Sequence, residues 1–276
     1  MDNHFSRRPA FGQVAAIGTL YDARNECFLS GSLFDKALPL ESVSKSIIRK
    51  TTCKVIHNDS YEDKFKLMGV GNDFGASILA GLVVPDGAGR VLDEKTDSRH
   101  ILGAAIHHQI LTDREKLDPA SPGVNECRAA SFAENHDATH IVMEIEWGAQ
   151  STVMVRSHSG ASKSRFQAQV QALQKAVETG RPIVQGNAAW LTDDEIQIDV
   201  MAFSDILDDG ILMSDSQKFQ EAYEFLSVIP AHIKHENSGK GNPGMYNLPF
   251  QQTVDPPSCN SQTRSKQTLV QNSISF

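Results

Sequence analysis

Apolar residues along the chain recur with two different periods, and the changes of period divide it into strands and helices. Phe11 to Tyr21 is apolar and glycine-bearing, residues 22–26 form a polar turn, and Cys27-Phe28-Leu29 resumes the run, which predicts an early strand-turn-strand. Residues 44–58 hold Ile47, Ile48, Thr51, Thr52, Val55 and Ile56, whose branched Cβ atoms favour extended backbone. Residues 99–112, with Ile101, Ala105, Ile106 and Ile110, predict a similar strand. The strongest strand signal runs over 138–156, where Ile141, Met143, Ile145 and Trp147 share one face and Val142, Glu144 and Glu146 the other. Gly148 marks a bend or bulge in it. Ile196, Ile198, Val200 and Ala202 alternate with Gln197, Asp199 and Met201, and Met245–Phe250 predicts a last short strand.

Helical spacing appears twice. Phe166, Val170, Leu173 and Val177 lie on one face of a helix from Ser162 to Gly180. Residues 215–229 place Phe219, Tyr223 and Leu226 together and are expected to stop at Pro230. Residues 60–98 start with helix-compatible side chains and then turn small and apolar around Gly69, Gly71, Gly75 and Gly81, which predicts a weak helix or close backbone packing. Residues 113–135, with Pro119, Pro122 and Gly123, predict a long loop. Residues 165–172 satisfy both periods at once: Phe166, Ala168, Val170 and Ala172 alternate with three glutamines, yet the same residues enter the helical stripe. The boundaries expected are a domain over 1–250 and a polar tail over 251–276 that reads as disordered, without internal repeats.

Chemistry adds little to this pattern. A net charge of −8 repels phosphate backbones, so nucleic acid is not an expected partner. Cys27, Cys53, Cys127 and Cys259 are far apart and read as reduced structural thiols of a cytosolic chain. His107 and His108 are adjacent on a predicted strand and face opposite ways, so neither metal nor other cofactor is expected. Gly69 to Gly75 lacks the strand context or the Lys-Ser/Thr of a phosphate loop, and no Gly-x-Ser-x-Gly elbow exists, so no catalytic residue is expected and the protein does not read as an enzyme. The first residues lack a long apolar run with a cleavage site, which predicts a cytoplasmic chain, or one released without a signal peptide.

Ala138-Thr139-His140-Ile141-Val142, followed by Gly148-Ala149, resembles the membrane attack complex/perforin signature, in which a Gly-Thr-His-aromatic motif precedes a Gly-Gly pair. Gly18-Thr19-Leu20-Tyr21-Asp22-Ala23-Arg24, Leu33-Phe34, Ser77 to Val83, Glu146-Trp147-Gly148-Ala149 and Leu191 to Glu195 extend the likeness, in order, to the perforin-like N-terminal domain of the stonustoxin/verrucotoxin family. The resemblance implies an α+β fold: a bent, twisted four-stranded antiparallel sheet flanked by two helical clusters, here residues 61–98 and 158–194. It implies a pore-forming-toxin-like protein that oligomerises with itself or with related subunits and becomes membrane-associated on assembly, each cluster becoming a β-hairpin in lipid.

The site residues that follow from it are mechanical. Thr139, His140, Gly148 and Ala149 mark the signature and the sheet bend, and a valine at Gly148 is expected to stiffen the bend while leaving the domain folded. Phe65, Ile78, Leu79, Leu82, Phe166, Val170, Leu173 and Val177 are the membrane-hairpin candidates. Asp86-Gly-Ala-Gly89 and residues 93–97 break the alternation of the first cluster. The negative charge and these interruptions favour the alternative, a non-lytic intracellular scaffold of the same fold.

Overall fold

The computed structural model describes residues 5–57, 60–94, 102–130, 137–158, 162–180, 198–207, 219–234 and 241–249. The 251–276 tail, the ends of both expected clusters and the expected start of the last helix lie outside the described residues.

Long antiparallel strands build the body. β4 (Val43–Ile56), β5 (Leu102–Leu117), β7 (Glu144–Ser157) and β8 (Ile198–Ser204) form the expected four-stranded arrangement. They pair in the spatial order β4-β5-β7-β8. β1 (Phe5–Pro9) and β9 (Asn242–Pro249) widen the lower half, because β9 takes the edge of β7 that β8 does not reach. β2 (Thr19–Asp22), β3 (Cys27–Ser32) and β6 (His140–Ile141) make a separate small sheet, whose first two strands are the early strand-turn-strand, although the first begins only at Thr19, after turns at Phe11-Gly12 and Gly18.

Strand alternation gives the upper sheet two different faces. Ile106, Val153, Val155, Val200 and Ala202 point to one, where α3 (Lys163–Thr179) and α4 (Phe219–Ile233) cover them. Met154, Met201 and Phe203 point to the other, covered by α1 (Tyr61–Met68), α2 (Asn72–Leu79) and a 3-10 turn over Gly87–Leu92. The helical period wins over the alternating one in residues 165–172, since only a helix brings Phe166, Val170, Leu173 and Val177 together against the sheet. Among the glycines of the first cluster, Gly75 lies so close to the Phe65 ring that a Cβ there would come within 2.8 Å of it, so α1 and α2 pack tightly because no side chain intervenes.

Three expectations are corrected. β5 does not end at Thr112 but continues to Leu117, because Arg114, Glu115 and Lys116 find partners on β7 and β4 across the lower sheet. The segment over 138–156 is two strands, broken at Val142 and Met143, where the chain passes from the small sheet to the large one. Pro230 does not stop α4; the last turn continues to Ile233, with Ile229 and Ile233 buried against Ala149.

Candidate functional site

β7 changes both partner and register at Gly148. Its residues 144–148 pair with β9 and residues 151–157 with β8, so two strands share one edge in succession. Register shifts lie at the same level in three ladders: between Ile47 and Lys50 of β4, between Leu111 and Arg114 of β5, and between Glu146 and Trp147 of β7 against β9. Each extra residue in a ladder kinks the strand and raises its local twist. A Cβ at Gly148 would overlap the Ile110 carbonyl oxygen and stand 3.1 Å from Leu111 Cα, so the backbones of β5 and β7 approach here as only glycine permits. The Cβ of a valine there would already meet backbone, so the stiffening expected of it would strain the junction itself.

Gly241 completes the junction and was missed in the sequence. Its φ of 78° lies in the left-handed region, and a Cβ there would overlap the carbonyl oxygen of Gly148. Ala149 sits beside it, buried against α4. Below, Glu146 accepts hydrogen bonds from Arg7 at 3.1 Å and Arg114 at 2.7 Å, tying β1, β7 and β5 together.

Thr139 and His140 lie on the small sheet, away from Gly148. Thr139 Oγ1 accepts from the Ala23 amide at 2.8 Å and donates to the Tyr21 carbonyl at 3.1 Å, and His140 pairs with Tyr21 in the β2–β6 ladder. Burial, then the Arg8 charge, lowers the His140 pKa. Beside them is a buried charge cluster that the sequence did not announce. Arg8 donates through Nε and Nη2 to the two Glu26 carboxylate oxygens, both at 2.9 Å, and Tyr21 donates its hydroxyl to the same carboxylate. Burial, then the bond to Glu26, holds the Tyr21 phenol far above its usual range. Glu26 occupies the left-handed region at φ 49° in the β2–β3 turn, which aims its side chain inward.

The cluster candidates divide by exposure. Phe166, Val170, Leu173 and Val177 are buried in one continuous core with β5, β7 and β8. Ile78 is buried and Phe65 half-buried beneath α1 and α2. Leu79 and Leu82 are exposed, at 59% and 53%, and Val84 beside them is 78% exposed. From the far end of β8, Asp205 Oδ1 accepts the Ala88 amide of the 3-10 turn at 2.8 Å, joining the first cluster to the junction. Burial pushes the Asp205 carboxyl up to about 7, against the opposing pull of amide bonds from Ala88 and Gln150.

The family described as "SNTX, MACPF/CDC-like domain" matches residues 6–252. The chain belongs to that family. Among its relatives, neoverrucotoxin subunit beta of Synanceia verrucosa is 26% identical over 233 residues, covering 83% of this chain and 33% of that protein. Stonustoxin subunit alpha of Synanceia horrida is 26% identical over 234 residues, with the same coverage. The solved stonustoxin structure has the same fold, with a TM-score of 0.57 and 19% identity over 88% of this chain and 31% of that one. This SNTX-type domain thus spans about a third of the length of the relatives it matches. Among its described residues no helix is long and apolar enough to cross a membrane, which says nothing of a strand-built barrel.

Proposed function

We propose that this domain acts as a pore-forming-toxin module, assembling with copies of itself or related subunits and inserting its two helical clusters into a membrane as β-hairpins. The supporting observation is where the clusters sit. Each is inserted between two antiparallel neighbours that are already hydrogen-bonded: the first between Ile56 and Ala105, which are paired, and the second between Ser157 and Ile198, which are also paired. A plain hairpin would need a short turn at those points. Instead they hold 48 and 40 residues, enough to extend both flanking strands by the ~9–11 residues that a membrane crossing requires. Extension would keep the ladders running, and closure of many such hairpins into a barrel would satisfy every backbone group in lipid.

Residues 165–172 support the same conversion: Phe166 and Val170 share a face in either conformation, and extension would bring the exposed Ala168 onto that face and move the buried Gln169 off it. The line of register shifts through Gly148 would let the upper sheet move relative to the lower half when the clusters leave. The toxin subunits among the relatives come in alpha and beta forms, which favours a heteromeric assembly. The role is mechanical rather than catalytic, and the membrane lipid is the partner.

A non-lytic scaffold of the same fold is the second reading, favoured by Asp86 and Asp93, which interrupt the apolar positions of the first cluster. Dye release from vesicles containing sterol and sphingolipid separates the two. Release with a steep dependence on protein concentration is expected of the pore module, and its absence, both alone and with a related subunit added, favours the scaffold.

A further inference from the structure

The two faces of the upper sheet hold their clusters by different means. α3 lays four apolar side chains on a floor that is itself apolar, including Ile106, Val153, Val155 and Val200. The first cluster keeps most of its apolar contact to itself. Met68, Phe74, Ile78, Val83, Val91 and Leu92 pack on one another and on Phe11, while the sheet contributes Met154, Phe203 and, at the margin, Met201.

The rest of the floor beneath the first cluster is polar. His107 Nδ1 lies 3.0 Å from Thr152 Oγ1, which itself reaches Met68 Sδ at 3.7 Å. Arg156 is buried 3.7 Å from the Glu94 carboxylate, and Lys64 of α1 is buried with its Nζ donating to the Glu94 carbonyl at 2.9 Å. At the other end α2 rests on the Arg8–Glu26 fork: the Ser77 hydroxyl is shared between Glu26 Oε1 and the Asp73 carbonyl of its own helix, both at 3.3 Å, and the Arg8 guanidinium stands 5.0 Å from the Phe74 ring centre.

Undocking therefore has opposite consequences on the two faces. Lifting α3 exposes two matched apolar surfaces to water. Lifting the first cluster uncovers Phe11, Met154 and Phe203, releases the Ala88 amide from Asp205, keeps the contacts among its own apolar side chains, and rehydrates Arg8, Glu26, His107 and Arg156. Building on the pore-module function above, we propose that the clusters open in a fixed order: the first swings away as a preformed unit, latched by the contact of α2 with the Arg8–Glu26 pair, while α3 is still docked. Glu26 and Arg8 stay with the body, so the latch can close again without refolding of the strand pair that carries it.

Hydrogen exchange of the full chain in solution, without lipid, tests the order. Amides of residues 61–79 are expected to exchange at least about tenfold faster than those of α3, with α1 and α2 opening together. Ser77→Ala removes one hydroxyl from the latch and should speed exchange in both α1 and α2 by about fivefold while α3 is unchanged. Equal or slower exchange in 61–79 than in α3, a Ser77→Ala effect confined to α2, or an effect shared with α3 would overturn the proposal. Pulse labelling after mixing with vesicles then separates it from the function it builds on. If ordered opening is seen in solution but neither cluster loses helix on the vesicles, the pore reading fails and the latch stands; if both convert with α3 first or simultaneously, the order fails and the pore reading stands.

Discussion

An alanine at Gly148 probes the junction of β5, β7 and β9 with the smallest possible change. The added Cβ would overlap the Ile110 carbonyl oxygen and crowd Leu111 Cα, both of them backbone atoms within a paired strand. A side chain could rotate away from such a contact, whereas a ladder carbonyl moves only if β5 and β7 separate locally. Forcing extra volume into a packed site costs about 1–3 kcal/mol, and weakening a neighbouring ladder hydrogen bond adds about 1 kcal/mol. The sum, about 2–4 kcal/mol, corresponds to a fall in Tm of about 5–15 °C for a domain of this size. Ala149→Gly is the matched control: it frees backbone and trims one methyl group from the contact with Ile229 and Ile233, for about 1–2 kcal/mol. Calorimetric melting of the three proteins reads the difference directly. Gly148→Ala melting within about 2 °C of the parent would show that the strands do not approach as closely as described, and the mechanical role of the junction would lose its basis.

Other consequences follow from the same contacts. Leu173→Ala should cost about 2–5 kcal/mol in denaturant unfolding, because it opens a cavity between α3 and the sheet; a cost under about 1 kcal/mol would mean that α3 packs loosely. Burial holds His107 and His108 neutral, with pKa values lowered to about 3 and about 4. As pH falls below the ordinary 6.5, the unfolded chain therefore takes up protons the folded one refuses, and stability is lost progressively between pH 6.5 and about 3. A His107→Gln variant should flatten that loss, which pH-resolved melting would detect. Asp205 acts in the opposite sense. Its carboxyl, raised to about 7 from 3.8, keeps a proton in the folded state that the unfolded state gives up, so its contribution strengthens as pH falls from 7 to 4 and is lost as pH rises through 7. Asp205→Asn should be more stable than the parent at pH 8 and should lack that rise; equal stability at pH 8 would count against an enclosed carboxyl.

The long strands and α3 were legible because each follows one period over many residues, and tertiary contact only selects among faces already written in the side chains. The stripe Phe166, Val170, Leu173 and Val177 could be read this way, as could the strand from Ile198 to Ala202. Residues 113–117 were not, because Arg114 and Lys116 look like loop residues until the partners on β7 and β4 that hold them in the ladder are known. Pro230 misled for a similar reason: the local preference to end a helix is overcome by burial of Ile229 and Ile233. Gly148 could be picked out from its position in a strong strand, but Gly241 could not, since its demand arises from a carbonyl 93 positions away in the chain. The Arg8–Glu26–Tyr21 cluster is equally non-local, and Glu26 in a polar turn carries no sign that its side chain points inward.

The conversion of helix to strand is tested most directly on α3 itself. The full chain would be incubated with sterol- and sphingolipid-containing vesicles, alone and with a related subunit, and the membrane-bound oligomers isolated. Amide infrared spectra and residue-level hydrogen exchange over 163–179 would then be compared with those of the soluble protein. Loss of helix with a matching gain of strand, and continuous protection of the amides over 163–179 as inter-strand hydrogen bonds replace the helical ones, is the expected result. Bound oligomers in which residues 163–179 remain helical and as protected as in solution would contradict a pore built from these clusters.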